Sequence, residues 1–305
     1  MIVSVSRRTD IPAFYGEWFA RRLQAGFCLV PNPFNPRQVA RVGLSASEVE
    51  ALVFWTRNPR PFMKHLPALE DRGLPFLFLF TLLDAPRLLE PHAPHLAVSL
   101  RTFCDLAARI GPERVVWRYD PIVLSTATDC DYHCRAFERI ATRLQGATRR
   151  CIVSFFEPYK KLRLRLAGLA RSGFELLAPR DRDVEQLLRH MAACSASNHM
   201  VLQSCAQEMD LEALGIVRGA CIDAELLSKI SGRVIATPKD PCQRTHCACV
   251  ASKDIGMYDT CLFGCAYCYA TSSFARAREN FKRHDPNSPA LLPLLGAVEM
   301  QLPLL

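Results

Sequence analysis

Three cysteines near the C-terminal end of the sequence have a spacing that could hold a metal cluster. Cys261, Cys265 and Cys268 follow a Cys-x3-Cys-x2-Cys pattern within residues 254–270. Three is an odd number for disulfides and one short of a closed four-ligand metal site. Cysteine thiolates are the usual ligands of iron–sulfur clusters. Three thiolates on a four-iron cluster would leave one iron with an open position, as catalytic metal sites do.

Short apolar runs alternate with helical patterns over the first 204 residues. The runs that predict buried strands are residues 2–6, 52–56, 76–81, 114–118, 150–155 and 200–203. The patterns that predict helices are residues 17–25, 60–72, 95–110, 132–144 and 183–193. Ser45-x-x-Glu48 has the form of a capping box and predicts one more short helix. This alternation predicts an α/β fold, with about six parallel strands closed into a barrel or partial barrel.

The pattern of the sequence changes after residue 204. Residues 205–275 are rich in cysteine and turn residues, and residues 286–305 alternate Pro with Leu pairs. We therefore expect a barrel over residues 1–204 and a cysteine-rich iron–sulfur segment over 205–275, packed on the barrel mouth. A C-terminal tail would follow over 276–305.

Polar side chains follow the predicted strands. Reactive residues of parallel α/β barrels lie at the C-terminal ends of the strands, although the same positions often carry Asp, Asn or Pro simply to form turns. The residues at these ends include Arg8, Thr9, Asp10, Thr56, Glu90, Arg118, Asp120 and Ser154. A rim with so many ionisable and hydrogen-bonding groups suits a polar ligand that carries carboxylate, amine and ribose groups.

The cysteine loop resembles the signature of the radical S-adenosylmethionine superfamily, in which an aromatic residue, here Tyr267, precedes the third cysteine. The wider string Cys-x-x-Gly-Cys-x-Tyr-Cys-Tyr-Ala is most similar to the spore photoproduct lyase-like branch. The resemblance implies that Cys261, Cys265 and Cys268 bind a [4Fe–4S] cluster whose open iron chelates S-adenosylmethionine. Once reduced by a donor such as flavodoxin or ferredoxin, the cluster would cleave that cofactor to a 5′-deoxyadenosyl radical, which takes a hydrogen from a substrate.

The resemblance extends to the strand ends. The stretches similar to turns of that branch are Ser6–Pro12, Thr56–Pro59 (with Arg57 in place of a lysine), Leu89–Pro94 and Trp117–Ile122. In that branch these turns follow the cysteine loop in the same order, whereas here the loop comes last, as a circular permutation would produce. Nearly the whole sequence resembles the domain-of-unknown-function 1848 family, which carries a radical-SAM-like cysteine cluster at its C-terminus and has no established reaction.

The rim and the resemblance together assign roles to residues. The expected catalytic residues are Arg8, Asp10, Arg118 and Asp120. The expected cofactor-binding residues are Tyr267, beside the adenine, with Thr9, Thr56, Glu90 and Ser154. The substrate, a small molecule or a ligand of another class, is not specified by these residues.

A second cysteine set lies upstream of the loop. It comprises Cys205, Cys221, Cys242, Cys247 and Cys249, beside His246. Of these, the family pattern contains Cys205, Cys221, Cys247 and Cys249 but not Cys242. Four thiolates would close a cluster, so we interpret these four as ligands of a second [4Fe–4S] cluster. Zinc is the alternative, since it uses the same ligands, although Cys-x-Cys is tighter than the usual zinc spacing; the absence of any metal is a further alternative.

Composition limits the class of protein. Fourteen cysteines among 305 residues favour metal binding or catalysis if the chain is cytosolic. The first residues show no signal-peptide pattern, and the longest apolar run, residues 74–83, is too short to span a bilayer. We therefore expect a cytoplasmic protein with no membrane partner.

Two basic stretches, residues 160–165 and 272–283, could contact phosphates. Charge runs are usually solvated faces, and a net charge of +8 is modest for this length, so nucleic acid is a partner that the sequence permits but does not favour.

The sequence therefore predicts an iron–sulfur enzyme of the radical S-adenosylmethionine type. Two alternatives from other classes stay open. One is a non-catalytic iron–sulfur or zinc protein, and the other is a nucleic-acid-binding protein with an accessory cluster.

Overall fold

A large parallel β-sheet positions every candidate residue. The computed structural model describes residues 1–178, 180–205, 211–241, 243–294 and the backbone of 299–301. The strands, numbered along the chain, are β1 (Ile2–Val5), β2 (Phe27–Pro31), β3 (Gln38–Gly43), β4 (Ala51–Thr56), β5 (Phe76–Thr81), β6 (Val115–Ile122), β7 (Arg150–Phe155), β8 (Val201–Ser204), β9 (Val217–Arg218), β10 (Lys253–Asp254) and β11 (Glu299–Gln301). The α-helices are α1 (Ile11–Phe14), α2 (Gly16–Ala25), α3 (Leu66–Glu70), α4 (Leu96–Ile110), α5 (Cys130–Arg143), α6 (Arg163–Arg171), α7 (Asp181–Ser197), α8 (Ala224–Ser231) and α9 (Phe274–Lys282).

Within the described residues, eight strands form one sheet in the order β10-β1-β4-β5-β6-β7-β8-β9, and every neighbouring pair is parallel. The predicted α/β class is therefore confirmed, and the six strands predicted before residue 204 all lie in this sheet. The sheet gains two further strands from the cysteine-rich region, so it continues past residue 204. A closed or partial barrel was predicted; closure is not observed, because β9 and β10 are edge strands of two residues each and do not pair with each other in the described ranges.

The two faces of the sheet are covered differently. From β1 to β9, the strands of this sheet lie side by side in the order of the chain. Connections between parallel strands are right-handed as a rule, so the connecting helices are expected on one face of the sheet. On this helix-covered face Phe54, Phe78 and Trp117 share one core with Phe103 of α4 and Phe137 of α5. The alternating strand residues point the other way. On that cysteine-covered face, apolar strand residues pack with α8 and the second cysteine set, namely Val53, Leu79, Ile152, Leu227, Cys205, Cys221, Cys247 and Cys249.

Two local predictions differ from the structure, and one hairpin was not predicted from the sequence. Strands β2 and β3 form an antiparallel hairpin around the Pro- and Asn-rich loop, and β3 pairs with β11 in a separate sheet. The capping box at Ser45 and Glu48 does not begin a helix: residues 45–49 form a turn, and Glu48 binds Arg41 of β3 at 3.2 Å. The single helix predicted for residues 60–72 is divided, because Pro67 lacks the N–H that a continuous helix needs.

The cysteine loop, defined here as residues 254–273, is joined to the start of the chain. Strand β10 pairs in parallel with β1, with Ser4 opposite Asp254, and the Ile255 N–H donates to the Ser4 carbonyl at 3.1 Å. The loop then crosses the ends of the strands.

Helices in the described ranges are all too short or too polar to cross a membrane.

Gly256 is the position at which this junction tolerates no side chain. A Cβ there would lie 2.7 Å from the Thr9 hydroxyl oxygen and closer still to Ser6. We expect Gly256→Ala to lower the free energy of unfolding by about 1–3 kcal/mol, because overpacking forces the loop away from β1. Chemical unfolding and limited proteolysis within residues 254–273 would measure this.

Gly168→Ala is the matched control, since its Cβ would meet nothing closer than Arg171 at 3.8 Å and alanine favours the helix α6. Equal stability of the two variants would contradict the close approach at Gly256.

Candidate metal centre

The Asp254 carboxylate anchors the cysteine loop. It accepts hydrogen bonds from the side chains of Ser4 (3.1 Å) and Ser6 (2.5 Å) and from the backbone N–H of Arg7 (2.8 Å). The Arg8 guanidinium also pairs with it, at 3.1 Å. Arg8, predicted to be catalytic, is therefore held in an ion pair that ties the loop to the end of β1.

Thr9 continues this junction. Its hydroxyl lies 2.6 Å from the Thr260 hydroxyl and contacts both the carbonyl and the N–H of Met257. The Tyr15 hydroxyl donates to the Thr260 carbonyl at 2.8 Å. All these groups act on the backbone just before Cys261, so Thr9 positions the first cysteine in the structure.

Arg165 of α6 binds the other end of the loop. Its guanidinium donates to carbonyl oxygens of the loop, those of Cys265 (3.5 Å), Ala266 (3.2 Å), Cys268 (3.2 Å), Thr271 (2.6 Å) and Ser272 (3.4 Å). The same guanidinium lies over the Phe274 ring at 4.3 Å. The prediction that the basic stretch 160–165 is a solvated face is therefore wrong for Arg165, because several carbonyls of a tight loop converge on it.

The three cysteines of the loop lie in an apolar surrounding. Cys265 is buried, and Cys261 and Cys268 are half-buried against a cluster that contains Leu89 and Phe263. Burial raises the pKa of Cys265 to about 12, although the nearby Arg57 acts to lower it. Burial also raises the pKa of Cys261 well above its ordinary value. The thiols of Cys261 and Cys265 are therefore neutral without a metal, and a metal that binds them must release their protons.

The three sulfurs of the cysteine loop are not gathered as closely as the ligands of a single metal ion. Among the described residues, no three potential ligand atoms that include a sulfur of Cys261, Cys265 or Cys268 all lie within 4.8 Å of one another. The loop is nevertheless fixed around them: Gly264 has the positive φ of 70° that the turn needs, and the Ala266 N–H donates to the Leu89 carbonyl at 2.8 Å.

A buried ionic network borders the cysteines. Arg57 contacts Glu90 at 2.8 Å, and the Tyr267 hydroxyl hydrogen-bonds with both the Arg57 guanidinium and the Glu90 carboxylate. Burial would lower the pKa of Arg57, but Glu90, Tyr267 and the thiols of Cys265 and Cys261 raise it overall. Arg57 therefore stays a cation beside two of the three sulfurs.

Asp10 and Thr56 support this network from the strand ends. Asp10 caps α1 by accepting from the Ala13 N–H at 3.0 Å, and it also accepts from the Thr56 hydroxyl (2.7 Å) and the Arg57 N–H (2.6 Å). Burial raises the pKa of Asp10 to about 6, while these hydrogen bonds act against that rise. Asp10 and Thr56 thus fix the backbone of Arg57.

A second polar group forms on the cysteine-covered face. Arg118 pairs with Asp120, which also accepts a hydrogen bond from the Ser154 hydroxyl, and Arg118 donates to Thr81 at 3.1 Å. The Arg118 guanidinium lies 4.7 Å from the centre of the Trp55 ring. Its charge acts on both Tyr269 of the cysteine loop and Cys221 of the second set.

Three buried donors in this group have no hydrogen-bond partner in the described part of the chain. They are Arg7 Nη2, Trp55 Nε1 and Arg118 Nε. The Arg7 guanidinium lies 5.3 Å from the centre of the same Trp55 ring, so two guanidinium groups lie against the indole that carries the third donor. Buried donors are rarely left unpaired in native proteins, so an ordered water or the acceptor oxygen of a ligand would complete this group.

The second cysteine set comes together on the same face. The sulfurs of Cys205 and Cys221 are 3.4 Å apart, and those of Cys205, Cys221 and Cys249 all lie within 4.8 Å of one another. The Cys247 thiol lies within hydrogen-bonding reach of the thiols of Cys205 and Cys249. Cys242 lies outside the described residues.

The structure therefore divides the predicted site residues into three groups. Those around the loop cysteines are Thr9, Asp10, Thr56, Glu90 and Tyr267. Those on the cysteine-covered face are Arg118, Asp120 and Ser154, and Arg8 stands apart in its pair with Asp254. The sequence indicated Arg57 only as a strand-end residue and Arg165 only as part of a basic stretch, and it gave no role to Trp55 or Asp254. The contacts of these residues come from partners distant in the sequence.

The buried network is expected to matter for stability. Glu90→Ala leaves Arg57 as an unpaired buried cation, and we expect it to lower the free energy of unfolding by about 3–5 kcal/mol. Tyr267→Phe removes only a hydroxyl and should cost about 1 kcal/mol. Urea unfolding of the metal-free protein would measure both values.

Glu70→Ala is the matched control, because Glu70 pairs with Arg109 on the exposed surface and such pairs contribute little. A loss of stability as large in Glu70→Ala as in Glu90→Ala would contradict the special role of the buried pair.

Comparison with known proteins identifies the family. A search of curated proteins found no significant match. The family model described as "Domain of unknown function (DUF1848)" matches residues 2–270, nearly the whole chain. The match covers the parallel sheet, both cysteine sets and the strand-end residues described above. This protein therefore belongs to the DUF1848 family.

Proposed function

We propose that this protein is an iron–sulfur enzyme of the radical S-adenosylmethionine type. The observation that carries the proposal is the position of the cysteine loop, which presents its thiols beside the strand-end residues Asp10, Arg57 and Glu90. The proposal includes a relationship by circular permutation, which is supported by the last described strand of the large sheet, β10, lying beside β1.

The donor set fits a four-iron cluster with an open iron. Cys261, Cys265 and Cys268 supply three thiolates, and their sulfurs are not gathered as closely as the ligands of a single ion. Thiolates are the usual ligands of such clusters. When bound, the cluster with S-adenosylmethionine would supply one-electron reductive cleavage to a 5′-deoxyadenosyl radical.

The chain's own residues would control charge at this centre. Thiolates bound to iron bring negative charge into an apolar surrounding, and Arg57 lies close enough to Cys261 and Cys265 to offset part of it. Glu90 and Tyr267 hold the Arg57 guanidinium in place. Charge in a buried site is costly without such a partner.

Arg7, Trp55 and Arg118 would bind acceptor oxygens of the ligands. Their unpaired donors are buried on the cysteine-covered face, and Arg118 lies close to the loop residue Tyr269. Carboxylate or ribose oxygens of a cofactor or substrate would satisfy these donors. Asp120 keeps the Arg118 guanidinium oriented, and Ser154 in turn holds Asp120.

The remaining contribution of the protein is placement. Asp254, Thr9 and Arg165 fix the loop at both ends, so the three sulfurs have little freedom to move. Binding, orientation and the exclusion of water are what proteins supply to cofactors that carry difficult chemistry. Such an enzyme also needs an electron donor, for which flavodoxin or ferredoxin is the expected class.

Anaerobic reconstitution with iron and sulfide, followed by an assay for 5′-deoxyadenosine, tests the proposal. With dithionite and S-adenosylmethionine we expect the wild type to release 5′-deoxyadenosine, because one iron is open to the cofactor. Cys265→Ala should release none. The cofactor should also change the electron paramagnetic resonance spectrum of the reduced cluster.

Cys104→Ser is the matched control, since Cys104 is a half-buried cysteine of α4 outside both sets. It should behave as the wild type. A wild-type protein with full iron content that releases no 5′-deoxyadenosine and shows no spectral change would contradict the proposal and favour a closed, non-catalytic metal site.

A further inference from the structure

The second cysteine set joins three separate segments of the chain. Cys205 follows β8, Cys221 precedes α8, and Cys247 and Cys249 lie in the turns before β10. All four side chains are between 2% and 7% exposed. Between β8 and β10 the regular structure of the described residues is limited to one 3₁₀ turn, β9 and α8. This region therefore packs a large part of the cysteine-covered face with little regular structure of its own.

The separations between the sulfurs decide which metal would fit. Four sulfurs around one zinc ion, with Zn–S bonds of about 2.3 Å in a tetrahedron, lie about 3.8 Å apart. The cysteines of a [4Fe–4S] cluster each bind a different iron, so their sulfurs lie roughly 6 Å apart. The observed values, 3.4 Å for Cys205 and Cys221 and at most 4.8 Å among the three that include Cys249, match a single ion.

From this geometry we infer that Cys205, Cys221, Cys247 and Cys249 bind one zinc ion. This revises the interpretation from spacing, which favoured a second [4Fe–4S] cluster. The Cys-x-Cys pair is tighter than the usual zinc spacing, but its two sulfurs each approach Cys205 rather than diverging. The site is closed by four protein ligands, so its role is structural.

The surroundings of the site support this inference. The Ile222 N–H donates to the Cys249 sulfur at 3.4 Å, an arrangement that offsets the charge of a metal-bound thiolate. The Cys247 N–H donates to the Arg244 carbonyl at 2.9 Å, which closes the turn that carries the Cys-x-Cys pair. Arg118 acts on Cys221 as a nearby cation.

The ion would connect the second set to the proposed ligand site. Cys205 directly follows Ser204 of β8, and the neighbouring Gln203 carries a buried oxygen without a hydrogen-bond partner in the described residues. A zinc ion would fix the end of β8 and the segment before α8 against the strands that carry Trp55 and Arg118. The inference is independent of the proposed radical chemistry, because it rests on different cysteines.

Metal analysis of the full chain, purified anaerobically, tests the inference. We expect about one zinc ion per chain, with X-ray absorption showing four sulfur ligands at about 2.3 Å. Cys221→Ser and Cys249→Ser should lose the zinc and keep the iron bound by the loop. Cys265→Ala should lose the iron and keep the zinc, and Cys104→Ser should keep both.

One further variant distinguishes the loss of a metal ligand from misfolding of the protein. Cys247→His should retain zinc, because sites with three cysteines and one histidine hold structural zinc as four-cysteine sites do. Far-UV circular dichroism would verify that each variant is folded.

Three results would overturn the inference. The first is an absence of zinc with about eight irons per chain, falling to about four in Cys221→Ser, which would assign a second cluster. The second is retention of zinc in both Cys221→Ser and Cys249→Ser. The third is a metal-free disulfide between Cys205 and Cys221, detected by mass spectrometry after alkylation. None of these results depends on whether 5′-deoxyadenosine is formed.

Discussion

The Asp254 carboxylate links β10, the last strand of the large sheet along the described chain, to β1, the first strand. Ser4, Ser6, Arg7 and Arg8 all donate to it, so one side chain satisfies a serine pair, a backbone N–H and a guanidinium at the end of β1. Charge-assisted hydrogen bonds of this kind are the strong ones, and several of them converge where little water can compete. The direction in which the cysteine loop leaves the sheet is fixed by this contact, and every distance between the loop and the strand ends depends on it.

The two cysteine sets that lie against this sheet differ in how their sulfurs are arranged. In the loop, Cys261 and Cys265 lie near the Arg57 cation, and all three cysteines pack in an apolar cluster with Phe263 and Tyr267. In the second set, the sulfurs of Cys205, Cys221 and Cys249 lie within 4.8 Å of one another, Cys247 contacts two of them, and the Ile222 N–H is directed at Cys249. The number of ligands and their spacing decide which metal a site prefers, so the two proposed sites would use the same residue type for different purposes. Arg118 lies close to Cys221 of the second set and to Tyr269 of the cysteine loop.

Much of the sheet could be predicted from the sequence because its buried strands are continuous apolar runs. Residues 76–81 and 150–155 were predicted with the bounds that the structure has, since strands covered on both faces need apolar residues at every position. Strands β9 and β10 carry no such signal, because two residues cannot show a period. The hairpin of β2 and β3 was hidden by its prolines. The capping box at Ser45 starts no helix because only seven residues separate the end of β3 at Gly43 from the start of β4 at Ala51.

The candidate site could be predicted in outline but not in its pairings. The cysteine spacing and the strand-end positions indicated the right regions. The pairing of Arg57 with Glu90 and Tyr267 joins residues up to 210 positions apart, and no local pattern encodes such a contact. The choice between zinc and a cluster likewise depends on sulfur separations, which spacing along the chain does not determine. Spacing favoured the cluster because Cys-x-Cys is short, whereas Cys205 and Cys221, 16 residues apart, form the closest contact.

The place of β10 in the sheet has a consequence for how the protein is made. A ribosome releases β1 and its neighbours long before residues 253–273, so β1 spends that interval with one edge uncovered. The thiols of the loop therefore reach their apolar surroundings only after the rest of the sheet exists to receive them. A chain cut short anywhere before β10 would present a nearly complete sheet that lacks all three cysteines of the loop.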